Sequence, residues 1–256
     1  MTIALTHIVP ASINECQLTH RERQPIDLDL AVKQHAAYCG TLRSRGLQVI
    51  ELDVNRDYPD GLFIEDTAVV VDELAVMTRP GAESRRGEVP GIQAELARYR
   101  EVASIEAPAT LDGGDVLITG KRVFVGLSSR TNRFGAMALK DILEPLGYRV
   151  VIVRVRGVLH LKSAVTAIDD ATLLANPHFF DTSPFANFRL VSVDTSEPFA
   201  ANALPVSGAV LLADGYPNTA EKVAKLGYHV QLVDIRELQK AEGGLTCSSI
   251  IFRTNT

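Results

Sequence analysis

The sequence returns to the same punctuation five times. Asp60, Asp112, His160, Asn202 and Cys247 each stand just ahead of a short β-rich run, separated by 52, 48, 42 and 45 residues. Recurrence at such a period marks a repeat architecture, one supersecondary unit used several times. After Asp112, Val116–Ile118 and Arg122–Val125 flank the turn Gly120-Lys121. A helical stretch then carries Ala136, Leu139, Ile142, Leu143 and Leu146, Gly147 stops it, and Tyr148–Val153 closes the unit. After Asn202, Leu204–Val206 and Ala209–Ala213 flank Ser207-Gly208, before a helix from Thr219 to Leu226 and the run Tyr228–Val233. The Asp60 unit has a hairpin, Ala68–Val71 with Leu74–Thr78, and a helix to about Tyr99. The His160 unit has Val165–Ile168, Thr172–Ala175, a weak helix and Arg189–Val193. Cys247 is followed by the single strand Ser248–Phe252. The parts it lacks stand at the N-terminal end. These are Ile3–Val9, a helix capped by Asp27 or Asp29 and ended by Gly46, and Leu47–Leu52. The helix places Leu28, Ala31, Val32, His35, Cys39 and Leu42 on one face.

The pattern predicts an α/β fold of five ββαβ modules around a pseudo-fivefold axis, with one module completed by both ends of the chain. A single catalytic domain over residues 1–256 follows. In a closed ring the module openers face a common axis, so Asp60, Asp112, His160 and Cys247 would meet in one site. The formal net charge of −5 argues against a nucleic-acid partner and suits a small cationic substrate. Three cysteines without metal-ligand spacing fit a reduced, cytoplasmic compartment. No run approaches the roughly 18 apolar residues of a membrane helix. MTIALTHIVPAS lacks the basic start of a signal peptide.

A thiol, an imidazole and a carboxylate beside turn glycines form the set that nucleophilic catalysis uses. A lone cysteine in such a chain is more often a buried structural residue, as Cys16 and Cys39 read here. The Gly243-Gly244 turn and the matching position of His160 set Cys247 apart. Asp before Gly-Gly is ordinary turn chemistry, which is the bland reading of Asp112 and Asp115. A histidine between leucines is usually a satisfied core residue, and the other five histidines read so. Asp60, Glu65 and Asp66 form an acidic cluster whose carboxylates match the planar donor fan of a guanidinium; the bland alternative is a solvated turn. Arg85 and Arg130 sit in corresponding loops of two modules, where surface arginines would also be unremarkable.

Taken together, these stretches resemble the dimethylarginine dimethylaminohydrolase family, within the guanidine-modifying superfamily of pentein fold. The resemblance lies in PDGLFIEDTAVV (Pro59–Val70), TRPGAESRRGE (Thr78–Glu88), LDGGDVLITG (Leu111–Gly120), VGLSSRTN (Val125–Asn132), LHLKS (Leu159–Ser163), ANALPV (Ala201–Val206) and GGLTCSS (Gly243–Ser249). It implies a five-bladed α/β propeller that hydrolyses Nω-methylated arginines to L-citrulline through a covalent thiouronium on Cys247. It further implies no cofactor or metal, and a monomer or homodimer. His160 would be general acid and base. Asp112 would orient it or receive guanidinium nitrogens. Asp66 would hold the guanidinium, with Glu65 beside it, Asp60 the substrate α-amine, and Arg85 and Arg130 the α-carboxylate. Leu18, in a lid loop Asn14–Gln24, and Ala241 would contribute backbone contacts, and Glu242 stands where the family commonly has Asp. An arginine deiminase, an amidinotransferase and a non-catalytic pentein are the alternatives.

Overall fold

Among the described residues no sheet exceeds three strands, and the architecture comes from how five such sheets are arranged. The computed structural model describes residues 1–254. In chain order its elements are β1 (Thr2–His7), α1 (Leu28–Ser44), β2 (Gln48–Leu52), β3 (Ala68–Val70), β4 (Leu74–Met77), α2 (Val89–Leu96), β5 (Glu101–Ser104), β6 (Val116–Thr119), β7 (Arg122–Leu127), α3 (Arg133–Leu143), β8 (Arg149–Arg154), β9 (Val165–Ala167), β10 (Thr172–Ala175), β11 (Arg189–Ser192), β12 (Leu204–Val206), β13 (Ala209–Ala213), α4 (Pro217–Lys225), β14 (His229–Val233), α5 (Arg236–Lys240) and β15 (Ile250–Arg253).

Each sheet has the same wiring: an antiparallel pair, then a crossover to a third strand parallel to the middle one. A parallel pair cannot be joined by a tight turn, and the crossover helix covers one sheet face. The N-terminal module is completed as expected. β15 pairs antiparallel with β1, Thr2 opposite Arg253, and β2 runs parallel to β1. Short 3-10 turns precede four of the modules, at Ile64–Thr67, Gly113–Asp115, Leu161–Ser163 and Thr246–Ser248, and pack against one another at the centre. These are the turns that carry the predicted site residues or adjoin them.

Three expectations need correction. The weak helix of the His160 module is absent; two 3-10 turns, Pro177–Phe179 and Ser183–Phe185, take its place. Pro177 and Pro184 each start a turn but remove donors that a longer helix would need. Aromatic packing covers the sheet instead. Phe124 stacks on Phe185 at 4.3 Å between ring centres, with Phe180 and Phe188 packed edge-on around them. On α1, Val32 is 46% exposed, and Tyr38 takes part in the buried stripe with Ala31, His35, Cys39 and Leu42. Tyr38 can be buried because its hydroxyl donates to the Leu245 carbonyl (3.0 Å) and meets Ser249 Oγ (2.7 Å). It thereby braces the turn that holds Cys247. Finally, α5 was not expected; it leads the chain from β14 into that turn. Asp27, one of the two proposed caps, accepts from Leu30 N–H. No helix among the described residues is long and apolar enough to cross a membrane.

If the aromatic cluster replaces the missing helix, Phe185→Ala should destabilise the protein by about 3–5 kcal/mol. Urea unfolding would check this; a loss below about 1 kcal/mol would assign the cover to other residues.

Candidate active site

His160 is extended at the start of its turn, and its ring is almost fully buried. Nε2 lies 3.0 Å from Asp112 Oδ2. Asp112 is itself fixed: Oδ1 accepts from Gly81 N–H at 2.8 Å, and its own N–H donates to Thr131 Oγ1. On the other side of the ring, Nδ1 is 3.8 Å from Asp66 Oδ1, which accepts the Gly114 N–H. The glycines of the Asp112 motif are needed for this approach. A Cβ on Gly114 would lie 2.5 Å from His160 Nδ1, and one on Gly113 would lie 2.0 Å from the Glu65 carbonyl. Asp115 is buried, accepts from Leu161 N–H and Ser128 Oγ, and so secures the residue after His160.

Burial alone would lower the His160 pKa, but Asp66, the bond to Asp112, and Asp115 outweigh it and raise it to about 9. Burial would likewise raise Asp66, but His160 and Arg85 hold it at about 2. Burial pushes Asp115 up to about 6 despite His160. The raised histidine value means that the fold binds the imidazolium proton. Its contribution to stability is complete below about 6.5 and is lost as pH rises through about 9.

Cys247 is partly exposed, and its Sγ accepts the Gly244 N–H at 3.3 Å. Glu65, fully enclosed behind it, bonds Lys162 Nζ (2.6 Å) and Thr246 Oγ1 (2.8 Å). Asn202, the opener that carries no chemistry, joins Lys162 O to Thr246. Burial, with Glu65 and Asp66 added, pushes the thiol up to about 12, against the pull of the Gly244 N–H and Lys162. Near neutral pH the pair therefore rests as thiol and imidazolium.

Cys247, His160, Asp60, Asp66, Arg85, Arg130 and Ala241 line one narrow cleft with Gln17, Phe63 and Glu242. Asp112 and Glu65 stand behind its wall, and Leu18 packs against the core cluster beneath α1. Arg85 is heavily committed. Nε and Nη2 bond Glu88, Nη1 bonds Asp66 at 2.6 Å, and Nη2 also reaches the Phe63 carbonyl. Arg130 has one side-chain bond, from Nη2 to Thr19 Oγ1. Asp60 accepts Gln17 N–H on both oxygens, and burial raises its pKa. Donor atoms of Asp66, Asp112 and His160 lie close enough to hold a metal, but each carboxylate is already engaged by N–H groups. Sequence reasoning missed Lys162, Thr246, Phe63 and Gln17 as site residues. Lys162 and Thr246 lie next to openers, a signal available in the repeat.

A thiol and a carboxylate-clamped imidazolium at the centre of five three-stranded modules, four of them with a crossover helix, define a pentein of the cysteine-dependent type. A family model described as N,N dimethylarginine dimethylhydrolase, eukaryotic, matches residues 5–175. The chain is 44% identical over 239 residues to the N(G),N(G)-dimethylarginine dimethylaminohydrolase of Streptomyces coelicolor, covering 92% of this chain and 91% of that protein. A cysteine-to-serine variant of the Pseudomonas aeruginosa enzyme, solved with citrulline, superposes with a TM-score of 0.92 at 35% identity, over 97% of this chain and 98% of that one. A dimethylarginine dimethylaminohydrolase adduct with S-methyl-L-thiocitrulline gives 0.93 at 35% identity, over 98% and 100%. The chain belongs to the dimethylarginine dimethylaminohydrolase family.

Removing a carboxylate beside an imidazolium lowers its pKa. In Asp66→Asn the His160 ring should therefore titrate clearly below 9, as read by NMR, and an unchanged value would mean that Asp66 does not set its charge.

Proposed function

We propose that this protein, acting as a single catalytic unit, hydrolyses Nω-methylated L-arginines to L-citrulline and methylamine or dimethylamine. The observation that carries the reading is the charge of the cleft: a protonated His160 held by Asp112 and Asp66, in the same walls as the Cys247 thiol. Membership of the family supports the substrate class.

The substrate guanidinium sits against Asp66, with the α-amine at Asp60 and the α-carboxylate at Arg130, assisted by Arg85. Its positive charge offsets the carboxylates that hold the thiol proton, and Cys247 ionises as the cation docks, its proton passing to solvent water. The thiolate attacks the guanidinium carbon and forms a C–S bond. With Nε2 occupied by Asp112, His160 gives the Nδ1 proton to the methylated nitrogen, and that C–N bond breaks. The S-alkylthiouronium remains on Cys247. Neutral His160 then takes a proton from water as it attacks the same carbon. The C–S bond breaks with its electron pair on sulfur, the Cys247 thiolate takes up the proton released as the adduct's hydroxyl becomes the citrulline carbonyl, and citrulline leaves. Leu18 and Ala241 act through backbone groups, and Glu65 through Thr246 and Lys162.

Citrulline formation from Nω,Nω-dimethylarginine, monomethylarginine and arginine tests the reading, with Cys247→Ser as control. Turnover of the methylated substrates, abolished in the variant, is expected. Turnover of arginine alone would make the protein a deiminase, and citrulline from none of the three would sink the hydrolase reading. The two arginines should separate. Arg130→Leu should chiefly raise KM. Arg85→Leu uncovers buried Asp66 and Glu88 and should cost about 3–5 kcal/mol of stability as well.

A further inference from the structure

Residues 17–21 cross the mouth of the cleft and are held at three points. Gln17 N–H bonds both oxygens of Asp60, at 3.2 and 3.1 Å. Arg130 Nη2 donates to Thr19 Oγ1 at 3.0 Å. The third point is Glu242. Its carboxylate accepts the backbone N–H groups of Thr19, His20 and Arg21 at 3.0, 2.5 and 2.7 Å. Three successive N–H groups converging on one carboxylate form a nest for an anion, and bonds to an ionised acceptor are about twice as strong as neutral ones.

Glu242 adopts φ +58°, a left-handed conformation that side-chain-bearing residues seldom take. It opens the turn in which Gly244 N–H bonds Cys247 Sγ. One turn thus grips the strap on its outer side and the thiol on its inner side. Beneath the strap the cleft is about 20 Å³. Small-molecule sites usually offer about 300–1,000 Å³. Cys247 also opens onto an adjoining cavity of about 310 Å³ walled in part by His20, Arg21 and Glu242. What the strap encloses is therefore the narrow end of the site between Asp60, Arg85 and Arg130, and whatever fastens residues 17–21 governs entry to that end.

We propose that Glu242 is a positioning residue whose carboxylate latches residues 17–21 over the cleft and holds the substrate against Cys247. Only the kinetic consequence rests on the proposed reaction; the latch is measurable without substrate.

The test is hydrogen exchange of the free, full-length protein, with Glu242→Gln, Glu242→Gly and Glu242→Asp variants. Glycine accepts the left-handed backbone without strain. An effect common to the Gln and Gly variants therefore belongs to the lost carboxylate. In both, the amides of Thr19, His20 and Arg21 should exchange at least about 10-fold faster while the sheet amides keep their rates. Glu242→Asp, which keeps the charge, should retain most of the protection. With substrate, Glu242→Gln should raise KM about 5–10-fold and change kcat less than about 3-fold. Unchanged exchange at residues 19–21 overturns the proposal. So does acceleration spread through the sheets, which would make Glu242 a general structural residue. Faster exchange at 19–21 in a protein that forms no citrulline would leave the latch standing and remove the reaction reading.

Discussion

Charge withdrawn from water is the constraint on which the rest of this structure depends. Glu65, Asp66, Glu88, Asp112 and Asp115 are all buried around the centre of the ring. A buried carboxylate costs several kcal/mol unless a partner and hydrogen bonds compensate it. Arg85 lies between Asp66 and Glu88, Lys162 answers Glu65, and His160 answers Asp66 and Asp112. The imidazolium is therefore a structural counterion to these carboxylates. The same negative surroundings keep the thiol protonated until another cation arrives. In the proposed reaction, activation of Cys247 and recognition of the cationic substrate are two readings of one electrostatic balance.

That balance holds only because backbones approach closely at the centre. Gly81 lies where a Cβ would strike the Arg130 backbone, Gly114 touches the His160 ring, and Gly244 faces Asn202. These contacts lie in or beside the turns and loops at the axis, and the sheets behind them are clamped by apolar clusters shared between neighbouring modules. Packing at the periphery thus fixes the position of polar groups at the axis. The bond from Tyr38 to Leu245 shows the link directly, from a helix on the outside to the turn of the nucleophile.

Most of the ring was legible because the repeat is written in local chemistry. Asp27, Gly46 and Gly147 mark helix ends, and Gly120-Lys121 and Ser207-Gly208 mark hairpins, all short-range signals. The His160 module was misread because its cover is non-local: Phe124, from the preceding module, supplies the ring on which Phe185 packs. Val32 was placed on the wrong side of α1 because an apolar residue counts towards a stripe whether or not a partner exists. Tyr38 won that position through a hydroxyl bond more than 200 residues away. Bringing Asp60, Asp112, His160 and Cys247 to one axis followed from the repeat; Asp60, His160 and Cys247 line the cleft, and Asp112 stands behind the His160 ring. The commitments of Arg85 did not, since sequence cannot tell a guanidinium facing solvent from one caged by Asp66 and Glu88. Glu242 was noticed as a departure from a family preference, but its three backbone donors come from the far end of the chain.

The pairing of β15 with β1 also alters what the ends of the described chain mean. Thr254 N–H bonds the Met1 carbonyl at 2.9 Å, so the strand that follows Cys247 is stitched to β1. The ring has no seam there. The hydrogen-bonded ladder runs through this blade as it does through the other four, and two stretches far apart in sequence share it as closely as the arms of any hairpin.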